Sequence, residues 1–177
     1  AGRDGIDISI GSIMSLSGVI FGLAVINGCS ILAATILTLL TGVVLGSING
    51  FLVAVAKVPA LIATLGTQYI YGSLALYLTG GIPISGFPES FEFLSLESTF
   101  GIPNQILFVV IPVTILVLIL VYKMKFGRRV YLMGTNPEAA KYTGIKERSV
   151  RMWVYILAGV LAAISAIINN SWLMTAR

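Results

Sequence analysis

The sequence predicts an all-α, polytopic integral membrane protein. Of its 177 residues, 57% are hydrophobic and only 10% are charged, whereas about a quarter of the residues in a soluble domain are charged. So few charged groups cannot cover the surface of a soluble fold, and lipid is therefore the expected surrounding. The apolar residues are also gathered into stretches of about 20 residues, the length with which a helix crosses a bilayer.

Five apolar stretches are expected to form membrane-spanning helices. A helix suits this environment because it satisfies its own backbone hydrogen bonds, which lipid cannot do. The stretches are Ile8–Ile26, Ile31–Ala56, Val58–Thr79, Ile106–Tyr122 and Met152–Ile168.

The positions of the basic residues orient these helices. Eight of the eleven Lys and Arg residues lie between Lys123 and Arg151, and short loops rich in Lys and Arg stay on the cytoplasmic side. Strict alternation then places Lys57 and Arg3 inside, and it places Gly80–Gln105, which has three Glu and no basic residue, outside. The N-terminus is therefore expected inside, with the last span running outward.

Small residues spaced by four mark the faces on which helices are expected to pack. This spacing lets two helix backbones approach closely. It occurs in the first, second and fifth stretches, at Gly18 and Gly22, at Gly42, Gly46 and Gly50, and at Ala158, Ala162 and Ala166. The fourth stretch is Leu, Ile and Val on nearly all sides, with a kink expected at Pro112, and is interpreted as a lipid-facing helix.

Polar residues within or beside the apolar stretches have two open interpretations. Asp7 and Ser9 lead into the first stretch, so they are candidate helix caps. Asn49, Thr64 and Thr67 lie within the second and third stretches, where hydrogen bonding between helices is the usual role. Alternatively, these five residues line a polar path for a hydrophilic solute.

The basic loop contains a predicted short helix. Thr135 or Asn136 can cap its start, Pro137 suits the first turn, and Glu138 is a candidate capping-box partner. Gly144 suits a left-handed helix end. An ordered helix of about two turns on the cytoplasmic face indicates a docking element, with a solvated amphipathic loop as the alternative.

Several classes of site are excluded by residue types alone. The chain has one cysteine, Cys29, and no histidine, so it can build neither a structural zinc site nor a disulfide framework. Without histidine there is no Ser/His/Asp set, and no phosphate-binding loop motif is present. We therefore expect no catalytic, cofactor-binding or metal site, and no enzymatic activity, in this chain.

Five motifs in order resemble those of ribose-type ABC importer permeases, members of the branched-chain amino acid/ribose permease family. Gly5–Ser12 resembles the GIDLSVGS signature of that family, and the last motif resembles its FGRxxYAxGxNxxAAxxxGI loop. The segments that carry the resemblance are Gly5–Ser12, Asn49–Gly50, Pro59–Thr67, Thr79–Gly81 and Phe126–Ile145.

The resemblance implies a single permease domain over residues 1–177, incomplete at both ends and forming the central part of a ten-span protein. Its function would be translocation of a pentose, a hexose or an autoinducer-2-type solute, and residues 123–151 would form the loop that couples transport to ATP hydrolysis. The residues assigned to coupling are Phe126, Gly127, Arg128, Tyr131, Gly134, Asn136, Ala139, Ala140 and Gly144. Those assigned to the solute path are Asp7, Ser9, Asn49, Thr64 and Thr67, with Gly42, Gly46 and Gly50 assigned to helix packing.

The resemblance also implies partners and a location. The partners are a cytoplasmic ABC ATPase that binds ATP and magnesium, a second permease subunit, and an external solute-binding protein. The location is the bacterial inner membrane, and no nucleic-acid partner is expected. Two alternatives stay open: an ion-driven secondary transporter, which normally carries a charge within a span, and a scaffold or receptor without transport activity.

Overall fold

The computed structural model describes residues 5–95 and 97–177 and confirms the all-α membrane fold. Each of the five apolar stretches contains a long helix. In the described part of the chain, Ile31–Val55, Ile106–Lys123 and Glu147–Leu173 are long and apolar enough to cross a membrane. Ile10–Ile26 is a shorter apolar helix of 17 residues, and Ala60–Thr79 has 20 residues but a more polar composition. Arg3, expected inside, lies outside the described residues.

The long helices are connected in the predicted order. Helix α1 covers Ile10–Ile26, α2 covers Ile31–Gly50 and ends in a π-helical turn at Phe51–Val55, and α3 covers Ala60–Thr79. After an outer loop come α4 at Ile111–Leu118, α5 at Lys125–Thr135, α6 at Pro137–Tyr142 and α7 at Glu147–Leu173.

Helix α7 is longer than the apolar stretch that predicts it. It begins at Glu147, five residues before Met152. The first turn is polar, so the apolar stretch does not include it. Glu147 and Arg151 form an ion pair of 2.7 Å across one helical turn there, as expected for opposite charges at this spacing.

The closest helix packing joins α2 to α7 along a line of glycines, which we call the glycine seam (Gly42, Gly46, Gly50 and Gly159). A Cβ built on Gly46 would stand 2.5 Å from the carbonyl oxygen of Tyr155, and one on Gly42 would stand 2.5 Å from that of Gly159. A Cβ on Gly159 would in turn overlap the carbonyl oxygen of Gly42. Backbone therefore meets backbone at these three glycines, whereas a Cβ on Gly50 would stand 2.7 Å from the sulfur of Met152.

The outer loop is ordered and packs on α1 and α7. It contains a 3-10 helix at Glu89–Leu94 and a hairpin of two short antiparallel strands, β1 at Ser98–Thr99 and β2 at Ile102–Pro103. Three phenylalanines, two from the loop and one from α1, pack with ring centroids 5.0–6.0 Å apart, namely Phe21, Phe87 and Phe91. A pair of backbone hydrogen bonds of 2.8 and 2.9 Å joins Ile84 to Ala176 beyond α7.

The fourth apolar stretch stands apart from the other helices. It runs from a π-helical turn at Ile106–Val110 through α4 to a second π-helical turn at Ile119–Lys123, and none of its residues is buried. Pro112 lies in the first turn of α4, directly after the first π-helical turn, where its missing N–H is accommodated. A predominantly apolar exposed surface fits a helix whose neighbours are lipid or other spans.

The basic loop between the fourth and fifth apolar stretches holds two helices instead of the single one predicted. Helix α5 was not predicted, although Phe126, Val130 and Met133 recur at helical spacing along it. The cap of α6 is Asn136, whose Oδ1 accepts a hydrogen bond of 3.0 Å from the N–H of Ala139. The capping-box prediction for Glu138 is therefore wrong, because Glu138 is the second helical residue and not the third.

Candidate functional site

The polar residues assigned to the solute path meet where α1 and α3 begin and α2 ends. Asn49 Nδ2 donates a hydrogen bond of 2.7 Å to Ser9 Oγ. Ser9 Oγ donates one of 2.7 Å to Asp7 Oδ1, which also accepts the Ser9 backbone N–H at 2.9 Å. This relay links the segment before α1 to the last turn of α2.

Threonines on α3 extend this polar cluster. The Thr64 hydroxyl accepts the backbone N–H of Ile8 at 3.4 Å and donates to the carbonyl oxygen of Ala60 at 2.8 Å. Thr67 lies one turn further along and donates to the Thr64 carbonyl oxygen at 3.3 Å. The first helices of the chain are thus joined by hydrogen bonds at one level of the membrane.

The burial of these residues shows which of the two interpretations, hydrogen bonding between helices or contact with a solute, applies in this structure. Ser9, Asn49 and Thr64 are fully buried, and within the described residues all their polar side-chain atoms except Asn49 Oδ1 bond to a neighbouring side chain or to backbone. Hydrogen bonding between helices, the first of the two interpretations, is the role that these contacts show. Contact with a solute stays a prediction, and it requires α1 and α2 to separate.

Replacing Asn49 with leucine is expected to lower the free energy of unfolding by about 1 kcal/mol, the scale of one side-chain hydrogen bond between membrane helices. The leucine keeps the branching at Cγ but removes the donor to Ser9 Oγ. Thermal unfolding of the full-length protein in detergent measures the change. Thr114→Val, on the exposed surface of α4, is the control, and an equal loss in both variants would contradict the assigned role.

Sequence reasoning missed two groups of polar residues on α7. Asn170 is 2% exposed, and its Nδ2 donates to the Gly18 carbonyl oxygen at 2.9 Å. Arg151 and Tyr155 lie beside Asp7 around a small cavity at the other end of the helix. Asn170 could have been found from its place in an apolar span, more than five helical turns from Arg151 at the charged end, whereas the approach of Arg151 to Asp7 joins residues far apart in sequence.

The basic loop folds into a compact unit, which we call the loop unit (α5, α6 and the first turn of α7). Its core consists of Met133, Ala140 and Val150, one from each helix, and all three are buried. Four partly buried side chains surround this core, namely Phe126, Val130, Leu132 and Ile145. The alternative of a solvated loop is not what the structure shows.

The residues assigned to coupling fall into two sets within this unit. Gly127 and Ala140 are buried, and Phe126 and Ala139 are partly buried. Gly127 allows the close turn after the fourth span, because a Cβ there would overlap the carbonyl oxygen of Val121. The other assigned residues are exposed, namely Arg128, Tyr131, Gly134, Asn136 and Gly144.

The position of Ala140 changes the reason for its importance. Its side chain is 3% exposed and packs inside the loop unit, so it cannot itself contact a docking groove. The outward face of α6 instead presents Glu138, Lys141 and Tyr142, the last being 90% exposed. Gly144 ends the unit's second helix with φ +72°, the left-handed conformation predicted for it.

A larger cavity opens beside the loop unit. It has a volume of about 630 Å³ and lies between the α2–α3 turn and the start of α7, and its charged lining residues are Lys57, Glu147, Arg148 and Arg151. Within residues 5–95 and 97–177, no cluster of His, Cys, Asp and Glu could hold a metal ion. The chemistry available at this end is that of hydrogen bonds and positive charge.

Comparisons with known proteins agree with this arrangement. Residues 4–175 match the family model for the branched-chain amino acid transport system / permease component. The chain is 36% identical over 173 residues to the autoinducer 2 import system permease protein LsrC of Yersinia pseudotuberculosis (serotype IB, strain PB1/+). The same protein of Yersinia pestis (strain Pestoides F) gives the same identity.

Coverage is unequal in these matches. The alignment includes 94% of this chain but 47% of each of the two relatives, so the chain spans about half the length of the curated relatives it matches. No solved structure matches the chain.

Proposed function

The chain belongs to the branched-chain amino acid transport system / permease component family, and we propose that it is a translocation subunit of a bacterial ABC importer for a small sugar or sugar-like solute. The match of 94% of the chain to autoinducer 2 import permeases carries this proposal. The family assignment made from the sequence motifs is confirmed. Membership of this family supports a multi-pass transport subunit, with ATP hydrolysis assigned to partner subunits.

The loop unit supports the ABC mechanism within this proposal. It presents a short, capped helix on the cytoplasmic side, and its buried core of Met133, Ala140 and Val150 ties that helix to the start of α7. A partner that moves α6 would therefore move α7 as well. The proposed partner is a cytoplasmic ABC ATPase, which would bind ATP and magnesium.

The proposed mechanism is alternating access driven from this unit. The ATPases close on ATP, α6 moves with them, and the spans switch the side on which the solute site is open. The shift can be no larger than the difference in nucleotide affinity between the two states. A second permease subunit, an external solute-binding protein and the bacterial inner membrane complete the proposed assembly.

The solute is proposed from the relatives and from the polar cluster. The relatives' names specify autoinducer 2, and pentoses and hexoses are the other members of the proposed class. Asp7, Ser9 and Asn49 carry the hydrogen-bonding groups that a polyhydroxylated solute needs. In this structure these groups bond to each other, so the proposed path opens when α1 and α2 separate.

Uptake into vesicles tests the function. The full-length protein is reconstituted with its co-purified partners, ATP is sealed on the cytoplasmic side, and entry of labelled ribose and autoinducer 2 is measured. We expect uptake that needs hydrolysable ATP and persists when ion gradients are collapsed. Uptake that continues without ATP and stops when a gradient is collapsed would replace the proposal with ion-driven transport, and no uptake of any solute in the class would favour a scaffold.

A further inference from the structure

Three polar side chains surround one small internal cavity at the cytoplasmic end of the membrane region. The cavity has a volume of about 50 Å³ and is lined by residues of the segment before α1 and of α7, among them Asp7, Arg151 and Tyr155. Each of these three side chains has a buried polar atom with no hydrogen-bond partner in residues 5–95 and 97–177, namely Asp7 Oδ2, Arg151 Nε and the Tyr155 hydroxyl.

The two charged members of this group are each only partly bonded. Asp7 uses Oδ1 for both of its hydrogen bonds with Ser9, which leaves Oδ2 free. Arg151 uses Nη2 for its 2.7 Å ion pair with Glu147, which leaves Nε free. A carboxylate accepts through both oxygens and a guanidinium donates through five N–H groups, so each can bind a second partner.

The position of these atoms favours a direct interaction in another state. Burying an unpaired charge is costly, and a carboxylate and a guanidinium on the walls of one cavity relieve that cost by pairing. The cavity has room for a few water molecules, and its polar walls can hold them. The long Arg side chain can cross this space without moving its helix, whereas Glu147 lies toward the exposed end of α7.

We propose that Arg151 is a positioning residue that exchanges carboxylate partners, from Glu147 in this structure to Asp7 across the cavity, as the transporter changes state. The Tyr155 hydroxyl would bridge the new pair. The proposal rests on the proposed transport function. It adds one contact, the pair of Arg151 and Asp7, through which a movement of the loop unit would be transmitted to the polar cluster.

The location of Arg151 explains why such an exchange would matter. Its neighbour Val150 is buried in the core of the loop unit against Ala140. Asp7, on the opposite wall of the cavity, is bonded to Ser9, and Ser9 to Asn49. Two alternative ion pairs form an element with two discrete arrangements, which is what coupling between distant sites requires.

A double-mutant cycle in the reconstituted full-length importer tests the exchange. Arg151→Gln and Asp7→Asn are each expected to lower uptake per ATP hydrolysed about tenfold, and the double variant is expected to be no worse than either single, because contacting groups act non-additively. Arg148→Gln is the matched control: it removes the same charge from an exposed neighbour that lines the larger cavity only, and we expect less than a twofold change.

Two further readouts separate coupling from folding. Tyr155→Phe keeps the ring in place and removes only the hydroxyl. It should lower the ratio of uptake to hydrolysis in the native background and have no effect in the Arg151→Gln background. An Asp7→Asn and Arg151→Gln double variant that multiplies the two single losses to about a hundredfold would overturn the exchange, as would equal effects of Arg151→Gln and Arg148→Gln.

The outcome is independent of the test of function. The cycle is evaluated on the rate of solute uptake alone as well as on uptake per ATP hydrolysed, so loss of ATP dependence in the native protein would refute the ABC mechanism alone. Additive losses in a native protein that does need ATP would refute the exchange alone. Each variant is first checked for assembly with its partners by gel filtration.

Discussion

Ala140→Arg is expected to abolish ATP-driven uptake while leaving membrane insertion intact. The Ala140 side chain is enclosed by Met133 and Val150 at the centre of the loop unit. An arginine there overfills the core and buries a charge, and both effects are destabilising by about 1–3 kcal/mol or more. Helix α6 would be displaced from α7, while the spans, whose insertion depends on their own hydrophobicity, would be unaffected.

The measurement combines uptake in vesicles with recovery of the protein from the membrane fraction. Thr135→Arg is the matched control, since it adds the same side chain at an exposed position of the same unit. Tyr142→Asp tests docking separately, because Tyr142 is 90% exposed and changing it leaves the core untouched. Normal uptake by Ala140→Arg would refute the role of the loop unit in coupling.

Gly46→Leu is expected to prevent α2 from packing on α7 and to lower the free energy of unfolding by about 3 kcal/mol. Even a Cβ at this position would stand 2.5 Å from the Tyr155 carbonyl oxygen and 3.0 Å from the Cα of Ile156. These are backbone atoms, which cannot move aside as the end of a side chain can. The two helices must therefore separate along the whole glycine seam.

Thermal unfolding of the full-length protein in detergent checks this expectation. Gly72→Leu on α3 is the control, because nothing lies within 4 Å of a Cβ built there. We expect Gly72→Leu to unfold close to the temperature of the native protein and Gly46→Leu to be recovered in low yield or to unfold far below it. Equal stability of the two variants would show that the seam is looser than the structure indicates.

The features that follow from local composition were predicted from the sequence. The five long helices were predicted from the lengths of the apolar stretches, because the requirement for about 20 apolar residues is a property of each segment alone. The left-handed glycine at Gly144 and the short helix after Asn136 were predicted because capping depends on neighbours in sequence. For the same reason, the choice between Thr135 and Asn136 as cap was left open, since both have a side-chain oxygen at a suitable place.

The features that depend on distant residues were not predicted. That Ala140 points into a core is decided by Met133 and Val150, which belong to other helices. The cavity shared by Asp7 and Arg151 lies between the segment before α1 and helix α7, which are far apart in sequence. Whether the path residues contact a solute is likewise not a local property, and it stays a prediction.

The glycine seam has a mechanical consequence. Where backbone lies against backbone, there are no side-chain rotamers that could rearrange and let the helices slide past each other. Helices α2 and α7 are therefore expected to move together as one rigid body. The fourth span is then the part that can bend or shift, because none of its residues is buried against another helix in the described chain. A force on the first turn of α7 would be transmitted about 40 Å along the helix to its far end. Beyond that end, Ala176 is hydrogen-bonded to Ile84.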